Sequence, residues 1–257
     1  MAIVQDGPAV AAARTITGAC VAALRAPVTS VVLYGSLTLD DFVPARSDID
    51  LLVVVDEPPT DDEIGALTAV VASADAAPAA GIDLHVVTSD VAAAPPRNPP
   101  LELHVGRYPD SDLEVEPRLA GAPDLLAELS MARADGRGLL GSSPREVIGV
   151  IDPDWIRARG EHWLTTWLTL VDDAEHAGFM VLTACRMWRF HREGVHSSKT
   201  AAARWALARD RSLVAVRQAL GQRTGDRATV VDEDGVRAVL ETVRDEIRAG
   251  GTQHPDR

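Results

Sequence analysis

The run Leu51-Leu52-Val53-Val54-Val55 admits few fates. Five consecutive branched apolar residues suit a strand buried on both faces. Ser47-Asp48-Ile49-Asp50 stands directly before it. A strand over Asp48–Val55 therefore opens with two carboxylates on one face, their α-carbons about 6.6 Å apart. Val28–Tyr34 reads as a preceding strand, and Gly35-Ser36 as the tight turn that ends it. Two parallel carboxylates at the mouth of a buried strand are costly unless positive charge lies between them. A hard divalent cation such as Mg²⁺ meets that need, because it takes one or two carboxylates plus phosphate oxygens. The Gly35-Ser36 turn then lies beside the metal, with backbone N–H groups free to hold phosphate.

Composition narrows the class. A chain of 257 residues, 46% hydrophobic, can build one large domain or two small ones. It contains no run of about eighteen apolar residues, so no membrane span is expected. MAIVQDGPAV lacks the basic segment and apolar core of a signal peptide. Cys20 and Cys185 are too few for a disulfide framework, and a reducing cytoplasm fits. The net charge of −13 argues against duplex nucleic acid as a partner; an acidic enzyme can steer in a small cationic one, although acidity by itself more often serves solubility. Lys199 is the one lysine among 25 Lys and Arg residues, and the two side chains bind phosphate differently.

Along the chain the period changes. Pro8–Ala26 has helical spacing. Thr60, with Glu63 three residues on, caps a helix that runs to about Ser73. Gly81–Val87 is a third strand, with Asp83, His85 and Val87 on one face. Val91–Pro100 reads as loop, and Leu101–Val105 alternates like a strand. From about Asp124 onward the patterning is almost wholly helical. Asp124–Asp135 is stopped by Gly136 and Gly138, and Ser143-Pro144-Arg145-Glu146 starts a short helix. Pro153–Ala174, His176–Arg192, Ser197–Ala208, Ser212–Gln222 and Asp232–Ala249 follow, and Gly250–Arg257 is expected to be disordered. The fold class is α+β. A mixed sheet with helices over about residues 1–150 precedes an α-helical bundle over 151–257.

Gly-Ser, eleven residues, then Asp-x-Asp opening an apolar strand resembles the nucleotidyltransferase superfamily that includes DNA polymerase beta. Asp40-Asp41 stand where its members usually carry a glycine. In that arrangement a third acidic residue comes from a neighbouring strand, and Asp83 is the acidic residue within the third strand. Left outside the metal's shell, Asp83 can serve as general base; inside it, as a third ligand with Asp48 and Asp50. The helical half is more specific. Val181-Leu182-Thr183-Ala184-Cys185-Arg186-Met187-Trp188, then Ser197-Ser198-Lys199 and Ala202-Ala203-Arg204-Trp205, is similar to the C-terminal domain of the aminoglycoside adenylyltransferases that modify streptomycin and spectinomycin.

The resemblance implies Mg²⁺ on Asp48, Asp50 and Asp83, and ATP as co-substrate. Gly35, Ser36 and Ser47 fall on its N-terminal phosphate side, and Arg186 and Lys199 grip the triphosphate. Asp83 matches a catalytic Glu one methylene longer. Tyr108 matches a Trp that stacks on the antibiotic, while Glu102 and Glu175 are candidate contacts for ammonium groups. The region of an expected streptomycin contact reads Glu175-His176-Ala177-Gly178, which leaves spectinomycin or another aminocyclitol open. What is implied is a cytoplasmic, monomeric enzyme that moves AMP onto an antibiotic hydroxyl. A transferase acting on another metabolite or a protein, and a nucleotide-binding regulator without turnover, remain the alternatives.

Overall fold

The computed structural model describes residues 7–109, 111–226 and 229–251, which form two compact units divided between Ile151 and Asp152. The first unit is a six-stranded mixed sheet in the order β5-β4-β3-β2-β1-β6. Its strands are β1 Val28–Tyr34, β2 Ile49–Val55, β3 Ile82–Thr88, β4 Leu101–Arg107, β5 Glu114–Leu119 and β6 Arg137–Gly141. Only the β2–β3 pair is parallel, because helix α2 (Asp61–Ser73) carries the chain back across the sheet between them. The other pairings are antiparallel.

The faces of the sheet differ. Val31, Leu33, Ile49, Leu51, Val53, Ile82, Leu84, Val86, Leu103 and Val105 form one apolar face. They bury it with Val10, Ala13 and Ile16 of α1 (Pro8–Ala23) and Leu67 and Val71 of α2. Each such side chain contributes about 1.5–3 kcal/mol when fully buried. On the opposite face α4 (Leu125–Asp135) packs on β1, and the short helices α3 (Ser89–Ala93) and α5 (Pro144–Val147) sit nearby. Toward the starts of β2 and β3 that face turns polar, and the candidate site lies there.

Several expectations change. α1 stops at Ala23 because Ala26 precedes Pro27, which disfavours helical backbone. Glu63 closes the gap: its Oε1 accepts from the backbone N–H of Arg25 at 2.6 Å, while Oε2 completes the Thr60 capping box. α3 starts at Ser89 and runs into the first residues, Val91 to Ala93, of the stretch read as loop. The sequence pattern does not show β5, and β6 is a strand within the stretch after Asp124 that reads as almost wholly helical. Gly136 does end α4, but Gly138, expected to help stop it, lies inside β6 and pairs with Val32 of β1.

In the second unit α6 (Pro153–Trp167), α7 (Ala177–Glu193), α8 (Lys199–Arg209), α9 (Val214–Thr224) and α10 (Glu233–Gly251) pack around α7. α6 ends seven residues before the expected Ala174. Asp173 takes the His176 backbone N–H at 3.1 Å and starts a new turn there. α7 ends at Gly194, which adopts φ 67. α10 turns Val236, Val239, Leu240, Val243 and Ile247 inward at helical spacing. The tail expected to be disordered lies outside the described residues from position 252 on. No helix among the described residues is long and apolar enough to cross a membrane.

Candidate active site

The site is built where β1 ends and β2 and β3 begin. Tyr34 pairs with Asp50, and Asp50 pairs with Asp83, so the three side chains share the polar face. Asp48 comes from the residue just before β2, two positions back. Its loop is tied down on both sides. Ser47 N–H bonds to Val43 O, the Ala80 N–H donates to Ser47 O at 2.8 Å, and Ile49 N–H to Gly81 O at 3.0 Å. Ser47, expected on the phosphate side, is buried, and its Oγ accepts from the Val43 N–H at 3.0 Å. Here it shapes the loop that presents Asp48.

Two glycines make room for the acids. Gly35 has φ 73, and a Cβ there would overlap the Asp50 carboxylate. A Cβ on Gly81 would meet Asp48 Oδ1 at 2.8 Å. Beyond Gly35 the chain makes a single 3₁₀ turn over Gly35–Leu37, and Asp40 adopts φ 52. The family's usual glycine in this region thus corresponds to a left-handed residue, a conformation that Asp tolerates better than most. Ser36 Oγ is buried with no hydrogen-bond partner among the described residues. An orphaned hydroxyl in a glycine turn beside paired carboxylates suits a ligand's phosphate, and the hard oxygens of Asp48 and Asp50 suit Mg²⁺.

Asp83 is the most engaged of the acids. His104 Nε2 donates to its Oδ1 at 3.0 Å, His85 Nδ1 lies 3.6 Å from the same oxygen, and the Tyr108 hydroxyl donates to the carboxylate. His104 is buried, and its Nδ1 meets Glu116 Oε2 at 2.9 Å. The two imidazoles stack with centroids 4.7 Å apart, and the buried Tyr34 hydroxyl lies 3.3 Å from His85 Nδ1. Burial opposes charge on His104, but its bond to Asp83 and the charges of Asp83 and Glu116 lift it to about 9. Burial likewise works against ionised Asp83, yet the His85 and His104 charges and the hydrogen bonds hold it below the usual carboxylate range. Burial lowers His85, against the pull of the Asp83 charge. Burial and the surrounding carboxylates, Asp83 first among them, push the Tyr108 phenol up, so it stays a donor.

Tyr108, expected to stack on the antibiotic, is partly buried beside Asp83. Its ring lies over Gly106, and its hydroxyl serves Asp83. Glu102 shares the face of His104 and is half-buried, with Arg118 Nη1 at 3.9 Å. His85, His104 and Glu116 were not foreseen as a group. The available signal was alternation: His85 is two residues from Asp83, and the Leu101–Val105 pattern puts Glu102 and His104 on one side.

In the second unit Arg186 Nε donates to Ser197 O at 3.1 Å, which fixes the guanidinium on α7 beside the start of α8. Lys199 opens α8, whose cap is Ser198, and its Nζ stands 4.9 Å from the exposed Phe179 ring. Thr183 Oγ1 and Ser197 Oγ are buried without partners among the described residues. A helix start with Lys199, Arg186 and unmatched hydroxyls suits an anion. Glu175 lies exposed in the turn before α7.

A nucleotidyltransferase domain model matches residues 19–99. A model of the aminoglycoside adenylyltransferase C-terminal domain matches residues 147–246. The solved structure of spectinomycin adenyltransferase AAD(9) from Enterococcus faecialis, with ATP and spectinomycin, shares the fold. It aligns over 93% of this chain and 98% of its own, at 19% identity and TM-score 0.68. No curated protein sequence matches the chain. With paired carboxylates on a parallel β2–β3 ladder and a glycine turn against them, the chain is a nucleotidyltransferase. Its helical unit carries the further distinction: the chain belongs to the aminoglycoside adenylyltransferase type.

Proposed function

We propose that the protein is an Mg²⁺- and ATP-dependent O-adenylyltransferase of the cytoplasm, acting as a monomer, that moves AMP to a hydroxyl of an aminoglycoside or aminocyclitol antibiotic. The observation that carries this reading is the register pairing of Asp50 with Asp83, with Asp48 two residues ahead and Gly35 bare against Asp50. Asp48 and Asp50 would hold the Mg²⁺, with Asp83 at its margin. When bound, the ion neutralises charge on the triphosphate. Gly35 and Ser36 seat phosphate oxygens, and Arg186 and Lys199 grip the triphosphate. Asp83 accepts the proton of the acceptor hydroxyl. A bond forms from that oxygen to the α-phosphorus, the bond from the α-phosphorus to the bridging oxygen breaks, and pyrophosphate leaves with the electron pair. His104 and Tyr108 fix the Asp83 carboxylate while this occurs. The acidic surround of Glu102, Glu114 and Glu116, with Glu175 as a further candidate, draws in a cationic acceptor. Shielding the cell from the antibiotic would follow.

A panel of aminoglycosides and aminocyclitols, incubated with ATP and Mg²⁺ and read by mass, tests this. One drug should gain a single adenylate, with release of pyrophosphate. Asp50→Ala should abolish the gain, and Asp83→Asn should slow it by roughly 10²–10⁴-fold. Adenylate found on a polypeptide, or full transfer by Asp50→Ala, would refute the proposal.

A further inference from the structure

Asp83 and His85 on β3 and His104 on β4 bring one oxygen and two nitrogens together in one cluster. His85 and His104 are directly paired across the strands, and Asp83 is two residues along on the same face. Asp83 Oδ1, His85 Nδ1 and His104 Nε2 all lie within 4.8 Å of one another. The carboxylate oxygen is 3.0 Å from the His104 nitrogen and 3.6 Å from that of His85. Donors bound to one ion at about 2.0–2.1 Å stand roughly 3.0–3.5 Å apart; the Asp83–His104 spacing falls in that range and the Asp83–His85 spacing just outside it, so a small side-chain shift would bring the donors to one ion.

The outer groups agree. A ligating histidine nearly always gives its other ring N–H to a carboxylate or carbonyl. His104 does so to Glu116, at 2.9 Å, while its Nε2 faces Asp83. Sheet register rather than a loop holds all three donors, which lowers the cost of assembling them.

We infer that Asp83, His85 and His104 form a site for a nitrogen-seeking divalent transition metal of the Zn²⁺ class, and that its occupancy inhibits transfer by taking Asp83 out of use. The inhibitory half rests on the role of Asp83 under the proposed function; the binding half does not. Donor chemistry separates this site from that of Asp48 and Asp50. Two imidazoles favour Zn²⁺ over Mg²⁺, while an all-oxygen pair favours Mg²⁺. Metal binding displaces the proton that His104 shares with Asp83.

Calorimetry of the metal-stripped full chain with Zn²⁺, in excess Mg²⁺, tests the site, and the visible spectrum of the Co²⁺ form reports its ligands. One tight Zn²⁺ per chain is expected. Glu116→Gln should weaken it by about 10–100-fold, and His85→Gln and His104→Gln by more. Glu116 is 55% exposed, so its variant tests the site even if a histidine variant fails to fold. No saturable Zn²⁺ binding in the wild type, or binding as tight in Glu116→Gln and both histidine variants, would overturn the site. In the transfer assay, Zn²⁺ should lower kcat with little change in KM for ATP, and Glu116→Gln should need correspondingly more Zn²⁺. Zn²⁺ bound at this site without loss of kcat would overturn the inhibition. Failure of the proposed function would instead appear as no transfer with Mg²⁺ alone while Zn²⁺ binding persisted.

Discussion

At the residue scale, small absences matter as much as the charges. Gly35 is held at φ 73 with the Asp50 carboxylate in the space of its missing side chain. Gly35→Ala should cost at least about 1 kcal/mol in backbone strain alone. It should also raise the Mg²⁺ concentration for half-maximal transfer, because Asp50 must move; an unchanged Mg²⁺ titration would refute this. His196 offers a pH test away from the acids. It stacks on Phe190 at 4.7 Å, and burial, aided by the Arg186 charge, lowers it to about 4. An unfolded histidine titrates near 6.5. Its folded value lies below that, so its contribution to stability is complete above pH 6.5 and is lost as pH falls from there toward 4. Urea midpoints over this range should fall less for His196→Gln than for the wild type. Asp48 and Asp50 were legible because their spacing is a local property of one strand. The links among Asp83, His85, His104 and Glu116 were not, because they depend on which strands are neighbours and in what register.

At the element scale, the cap of α2 does two jobs. Thr60 and Glu63 close the helix start, and Glu63 also holds the backbone of Arg25 and Ala26 before β1. Thr60→Ala should cost about 1 kcal/mol. The backbone N–H groups of Arg25 and Thr60, with the Thr60 hydroxyl, draw Glu63 down to about 2, so its support is present above its unfolded value and lost as pH drops through about 2. Glu63→Gln should lower the urea midpoint at pH 7 and narrow its gap to the wild type near pH 2; a constant gap would count against the assignment. This box was readable from sequence because four consecutive residues contain it. The central strands were readable too, since β1 and β2 are apolar almost throughout. β5 and β6 were not. β5 carries glutamates and Pro117, and β6 carries glycines; both are edge strands whose extended form comes from a partner rather than from their own propensity.

At the scale of the whole molecule, the aromatic residues label the two units separately. All five tryptophans, Trp155, Trp163, Trp167, Trp188 and Trp205, belong to the second unit, and both tyrosines, Tyr34 and Tyr108, to the first. Leu51→Ala and Leu240→Ala each empty a fully buried site and should cost about 2–5 kcal/mol. Leu240→Ala should move the unfolding curve followed by tryptophan emission more than that followed by the tyrosine bands, and Leu51→Ala the reverse. Equal shifts in both signals would mean that the units unfold together. The chain from Asp83 through His104 ends on Glu116, and Glu116 sits on the sheet's outermost strand, β5. Edge strands open at a small fraction of the energy of global unfolding. Each time that margin frays, His104 loses one of its two carboxylates. Natural variation along β5, one residue removed from Asp83, is therefore a means by which selection could retune the pairing of Asp83 while leaving the three aspartates untouched.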